Sequence, residues 1–165
     1  PLHSSAASDV YKRQSLGFAI VALSGLLTQL FLVDRYAFNP KILVITGITL
    51  MAGVFYLLSN TSEIVWFYLL LMIYGFGGGL ARPGNVSILS LSVNKDEQGA
   101  ASGLMGTVFP LGHLITPFSI MPLYMMDPSF PYLLISLLGL FLIVYMFYNQ
   151  KLFFNFINLE ERKNV

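Results

Sequence analysis

The sequence predicts an all-α integral membrane protein of five transmembrane helices, and three observations carry that prediction. Of its 165 residues, 56% are hydrophobic and only 10% are charged, against about 25% charged in a soluble domain. The apolar residues gather into five runs nearly free of charge, each close to the roughly 20 residues that a helix needs to cross the hydrocarbon layer. The charges fall between these runs, and mean hydropathy over the chain is +0.72.

The chain opens on Pro1 to Gln14, which is polar, has no initiator methionine and lacks the apolar core of a signal peptide. It resembles translated adapter sequence, so residues 1–14 are read as a leader foreign to the fold. Ser15 to Val33 is the first span and Ile42 to Leu58 the second. The third begins at Ile64 and stays apolar through Arg82 and Pro83 to about Leu91, which predicts one long helix with a kink at the proline. Gly99 to about Met121 is the fourth and Tyr132 to Tyr148 the fifth. Residues 15–148 form the helix bundle, and 149–165 a cytoplasmic tail. In that tail, Phe153, Phe154, Phe156 and Ile157 lie beside charges, and an interfacial amphipathic helix and a frayed end fit it equally.

Orientation follows from the basic residues. Arg35, Lys41, Lys95, Lys151, Arg162 and Lys163 fall on one side of the predicted membrane, while the other carries Glu63 and Asp127 and no Lys or Arg from the span connections. The positive-inside rule makes the first side cytoplasmic, with the C-terminus inside and the protein in the cell membrane. Five spans then put Lys12 and Arg13 outside, a conflict that favours a foreign leader on a chain that is a piece of something larger.

Polar groups within the spans are few. Read as helix, Gly75, Gly78, Gly79, Arg82 and Asn85 share an arc of about 120°. In the fourth span Gly99, Ser102, Gly103, Gly106, His113 and Thr116 share one side, with Leu104, Val108, Leu111, Ile115 and Phe118 opposite. In a bilayer, small residues let helices approach and polar groups turn from lipid. The steps Gly75-x-x-x-Gly79 and Gly99-x-x-x-Gly103 therefore read as helix-packing positions.

Arg82 is the most informative single residue, because a guanidinium in a span costs at least about 2.5 kcal/mol unless something compensates. Two readings fit: a group on a substrate or coupling-ion pathway, or a structural arginine held by helix carbonyls or a carboxylate elsewhere. His113 likewise reads as a proton-handling group, since imidazole titrates in the physiological range, or as a hydrogen-bonded structural residue. Asn85 on Arg82's side serves a solute or a neighbouring helix equally well. Pro110 and Pro117 bend the fourth helix, for gating or for packing.

Several chemistries are excluded. Without cysteine there is no disulfide, thiolate metal site or thiol nucleophile. No span holds an acidic residue, and no His/Asp/Glu cluster has metal-ligand spacing, so the chain is not read as an enzyme and no metal or cofactor is called for. With a net charge of +1 and no basic patch, nucleic acid is not a partner. The glycine run is not a dinucleotide fingerprint, because Leu80 stands where the third glycine belongs and no acidic residue follows at the required distance.

Three stretches carry a resemblance: the glycines running into Arg82-Pro83, the loop ending Glu97-Gln98-Gly99, and Gly103 through Gly112 to Pro117. Together they resemble the C-terminal half of a major facilitator superfamily transporter, most like the drug:proton antiporter branch, over Ser15 to Tyr148. The resemblance implies that the five spans are helices eight to twelve of twelve and that a missing N-terminal helix bundle of the same protein is their partner. It also implies proton-coupled efflux of small organic solutes by alternating access, with Arg82, Asn85 and His113 facing the cavity. Asp34-Arg35 with Lys41 takes the place of the family's repeated cytoplasmic loop, G-x-x-x-D-R-x-G-R-K. Leu30 stands where the first glycine belongs, and Tyr36 to Pro40 replaces the next glycine and most of the basic residues. Apart from the resemblance, a self-contained five-helix channel and a non-transporting membrane subunit remain open.

Overall fold

A computed structural model describes the backbone of residues 2–36 and 38–149, and the side chains within those ranges from Val10 onward. Among these residues there is no strand. The chain forms α1 (Leu2–Thr28), prolonged by a π turn at Gln29–Val33, then α2 (Pro40–Leu58), α3 (Ile64–Ser92), α4 (Gln98–Met126) and α5 (Phe130–Tyr148). Each is long and apolar enough to cross a membrane. The proposed amphipathic helix at Phe153 to Ile157 lies outside the described residues.

The largest boundary differences from the sequence reading are at the start of α1 and the end of α4; α2 and α5 each start two residues earlier than expected. The first helix starts at Leu2, not at Ser15, because Lys12 and Arg13 interrupt hydropathy without interrupting helix: residues 2–16 contain neither glycine nor proline. Residues 2–14 thus extend the first helix, whose membrane-spanning stretch is Val10–Val33, and the Tyr68 hydroxyl of α3 donates to the Arg13 carbonyl at 3.3 Å. The fourth helix runs on through Pro122 to Met126, since a span tolerates proline where freed backbone groups find other partners.

Connections are tight and chemically specified. The π turn closes when the Asp34 N–H donates to the Gln29 carbonyl at 2.9 Å, one residue beyond α-helical spacing. Asn39 then caps α2, its side-chain oxygen accepting from the Lys41 N–H at 3.0 Å, with Pro40 opening the first turn. Replacing Asn39 with alanine is expected to lower stability by about 1 kcal/mol, read as a small drop in melting temperature in detergent. Between α3 and α4, a single 3₁₀ turn at Lys95–Glu97 lets the Glu97 carboxylate accept from the Asn94 N–H at 3.4 Å.

The helices pack in the order α1, α3, α2, α5, with α4 lying against α5 and only lightly against α3. Lipid tails offer no hydrophobic drive for one helix to join another, so close approach at small residues decides which surfaces meet. A Cβ built on Gly47 of α2 would stand 2.6 Å from the Gly77 carbonyl oxygen and 2.7 Å from the Ala81 nitrogen of α3. On the other side of α3, one on Gly79 would stand 2.6 Å from the Gly25 carbonyl oxygen of α1.

Two apolar clusters flank the Gly47 contact. Toward one end, Val44 and Met146 are buried with Ile45, Ile48, Ile88 and Leu91 around them. Toward the other end, Val54, Leu58 and Leu70 pack with Phe55, Tyr74 and Tyr132, and the Phe55 ring meets Tyr74 edge-on at a centroid distance of 5.4 Å. Across α1 and α3, the Ser24 hydroxyl donates to the Met72 carbonyl at 2.7 Å. The buried Thr28 hydroxyl bonds the Ser24 carbonyl, and no buried side-chain polar atom among the described residues lacks a partner. Large apolar side chains cover the outside of all five helices, as a lipid-facing surface requires.

Candidate functional site

Contacts on both sides of α3 assign its faces. Gly75 and Gly79 meet α1, and Gly77 and Gly84 meet α2. At 100° per residue, Gly78, Arg82 and Asn85 lie on the stripe between those two faces. That stripe is open: a Cβ on Gly78 would meet nothing within 4 Å. The small and polar residues that share one arc in sequence thus divide into two, a packing face and an open polar one.

Arg82 is exposed on this stripe and makes no hydrogen bond or ion pair with any described residue. With the 29-residue helix centred on the bilayer, Arg82 lies about 6 Å from the midplane, well inside a hydrocarbon layer about 30 Å thick. Glu63, which precedes the first turn of α3, is about 28 Å away along the axis, and Asp96 lies beyond the other end of the helix. Half-buried Asn85, one turn on, makes no hydrogen bond with a described residue. Pro83 sits between them without breaking the helix, and its missing N–H leaves the Gly79 carbonyl without its usual donor.

His113 lies on α4, exposed, and bonds only within its own helix: its Nδ1 is 2.8 Å from the Phe109 carbonyl oxygen. A carbonyl can only accept, so Nδ1 carries the hydrogen and Nε2 offers the lone pair of the neutral ring. Pro110 and Pro117 remove the donors that would meet the carbonyls of Gly106 and His113 itself. Hydroxyls of Thr107 and Thr116 turn back onto the carbonyls of Gly103 and Gly112, at 3.0 and 2.7 Å. This side of α4 therefore presents an imidazole nitrogen and backbone oxygens. No residue of α4 is buried, and a Cβ on Gly99, Gly103 or Gly106 would meet nothing within 4 Å.

The structure thus sets Arg82 and Asn85 on one stripe and His113 on a different helix. Asp34 and Arg35 are exposed in the connection after the π turn. Sequence reasoning overlooked Ser24, Gly25 and Thr28, whose spacing on α1 repeats the small-residue pattern of α3 and receives Gly75 and Gly79. An apolar groove of about 630 Å³ runs between α1 and α3, with Ser24, Thr28, Phe31, Met72 and Phe76 on its walls. By the same 100° spacing it opens on the side of α3 opposite Arg82, so the groove and the charge do not form one pocket.

In comparison with known protein families, the model of the Major Facilitator Superfamily aligns with residues 5–117. No curated protein and no solved structure matches the chain.

Proposed function

Because this chain belongs to the major facilitator superfamily, we propose that it forms part of a secondary active transporter that exports small organic solutes in exchange for protons. The observation that carries this reading is the open stripe of Gly78, Arg82 and Asn85, a polar strip within a membrane span that neither α1 nor α2 covers. Intramembrane charge is costly and belongs where water or a ligand reaches it. In alternating access, that strip and the polar side of α4 form one wall of a central cavity, and a second helix bundle of the same protein supplies the other. The five helices then correspond to the C-terminal half of the transporter.

Within the described spans no carboxylate lies near the bilayer centre, and the group we assign to proton transfer in this bundle is His113. Its Nε2 lone pair takes up the proton while Nδ1–H stays on the Phe109 carbonyl. The basic residues Arg35, Lys41 and Lys95 at the span ends support a cytoplasmic side for those connections, and for the C-terminus with them, in a cell-membrane protein. Replacing His113 with alanine is expected to abolish solute-driven proton movement while leaving solute binding within about twofold, measured by a pH-sensitive dye and by equilibrium binding.

The reading is tested with the full-length protein in sealed liposomes holding a pH-sensitive dye. Solute addition should change internal pH, and a protonophore should abolish the change. A current driven by voltage without solute would indicate a channel instead, and no flux of either kind would indicate a non-transporting subunit.

A further inference from the structure

We infer that the open stripe on α3 receives an anion, so that the solute of this pathway carries a carboxylate, sulfonate or phosphate recognised by Arg82. The inference rests on the pathway reading above and adds the sign of the charge. Among the described residues, Arg82 is the one formally charged side chain far from a span end: Lys12 and Arg13 lie at the start of the apolar stretch Val10–Val33, Lys41 lies in the first turn of α2, and α4 and α5 hold none.

A cationic solute entering this strip meets like charge in a region of low dielectric, where repulsion is strongest. An anion meets a planar fork of donors suited to bidentate binding. Gly78, one turn before Arg82, adds no side chain to the space. Asn85, one turn after it, adds an uncommitted amide donor. The carboxylates at Glu63 and Asp96 are too distant to occupy the guanidinium. The same anionic chemistry could instead be supplied by an acidic side chain elsewhere in the protein, and the test separates the two.

Gly78→Cys introduces a thiol at a position with room for it, in a full-length background whose other cysteines, if it has any, are first replaced by serine. The full-length variant is reacted at about 10 mM salt, where screening extends over roughly 30 Å. Two methanethiosulfonates of similar size are compared, one ending in a sulfonate and one in a trimethylammonium, each rate being divided by that of the reagent with a free thiol in solution. At the roughly 6 Å between positions i and i+4, a unit charge changes encounter by about threefold for each sign even in bulk water. The anionic reagent should therefore win by about tenfold or more, and Arg82→Gln should return the ratio to about one. Any effect of Arg82 on the thiol itself cancels in the ratio.

Equal rates, or a preference for the cationic reagent, would mean that a carboxylate of the protein already neutralises Arg82; the anion inference then falls while the water-filled pathway stands. Failure of both reagents to react would mean a sealed stripe and would overturn the pathway as well. Asn85→Cys, on the other side of Arg82, gives the same comparison if the Gly78 variant does not accumulate.

Discussion

Valine at position 47 is expected to leave almost no folded protein in the membrane. The first methyl-sized atom added there would lie 2.6 Å from the Gly77 oxygen, 2.7 Å from the Ala81 nitrogen and 2.8 Å from the Ala81 Cβ. Those are backbone and near-backbone atoms of a packed helix, with no flexible side-chain end to move aside, so α2 and α3 must separate along their shared length. Overpacking by a single methylene typically costs about 1–3 kcal/mol, and valine adds three carbons against a rigid wall. Separation also opens the two apolar clusters on either side, where Val44 and Val54 are almost fully buried. Alanine at the same position should cost less but fall in the same direction. The control is Gly103→Ala on α4: its Cβ meets nothing within 4 Å, and exchanging glycine for alanine in a helix is worth up to about 1 kcal/mol in alanine's favour. Membrane abundance and melting temperature in detergent should therefore fall steeply for Gly47→Val and hold or rise for Gly103→Ala.

The contrast between Gly79 and Gly103 also marks where the sequence stopped being informative. Hydropathy and charge placement are enough to find five spans, because a helix that crosses a bilayer must be long and apolar and carries its charges at its ends. The Asn39-Pro40 pair marks the start of α2 by local capping chemistry alone. Periodicity then says that Gly75 and Gly79 share a face, and that Gly99 and Gly103 share another. It says nothing of what each face meets. Gly79 is pressed against the Gly25 backbone, while Gly103 touches no other described helix, although the two four-residue steps look alike. The difference depends on Gly25 and Thr28, more than 40 residues away in the chain, and on which surface of α3 turns toward α1. The polar stripe shows the same limit. Helical spacing groups Arg82 and Asn85 with Gly75 and Gly79, and only the contacts of α1 and α2 divide that arc into a packed side and an open one. The start of the first helix was hidden for a different reason: Lys12 and Arg13 end a hydropathy run, but helix propensity is indifferent to them.

Replacing Arg82 with alanine is expected to abolish transport while the protein still reaches the membrane at its usual abundance. The two halves of that expectation have separate causes. Insertion scales charge at least about 2.5 kcal/mol for an arginine near the centre of a span, and no described residue repays that cost, since Arg82 makes no hydrogen bond or ion pair among them. Its removal therefore leaves no partner stranded in the described bundle, and insertion becomes easier. Transport responds in the opposite sense. Removing one member of a desolvated, hydrogen-bonded charge pair costs about 2–5 kcal/mol, so loss of the guanidinium should weaken solute capture by about 30-fold or more at 1.4 kcal/mol per factor of ten. Lysine at the same position keeps the charge but not the two-pronged donor geometry, and should recover part of the rate. Solute flux per molecule of membrane-inserted protein is the measurement that decides. A variant that loses flux only because it no longer accumulates would make Arg82 a structural residue, held by a group outside the described bundle. One that accumulates and transports normally would remove Arg82 from the pathway altogether.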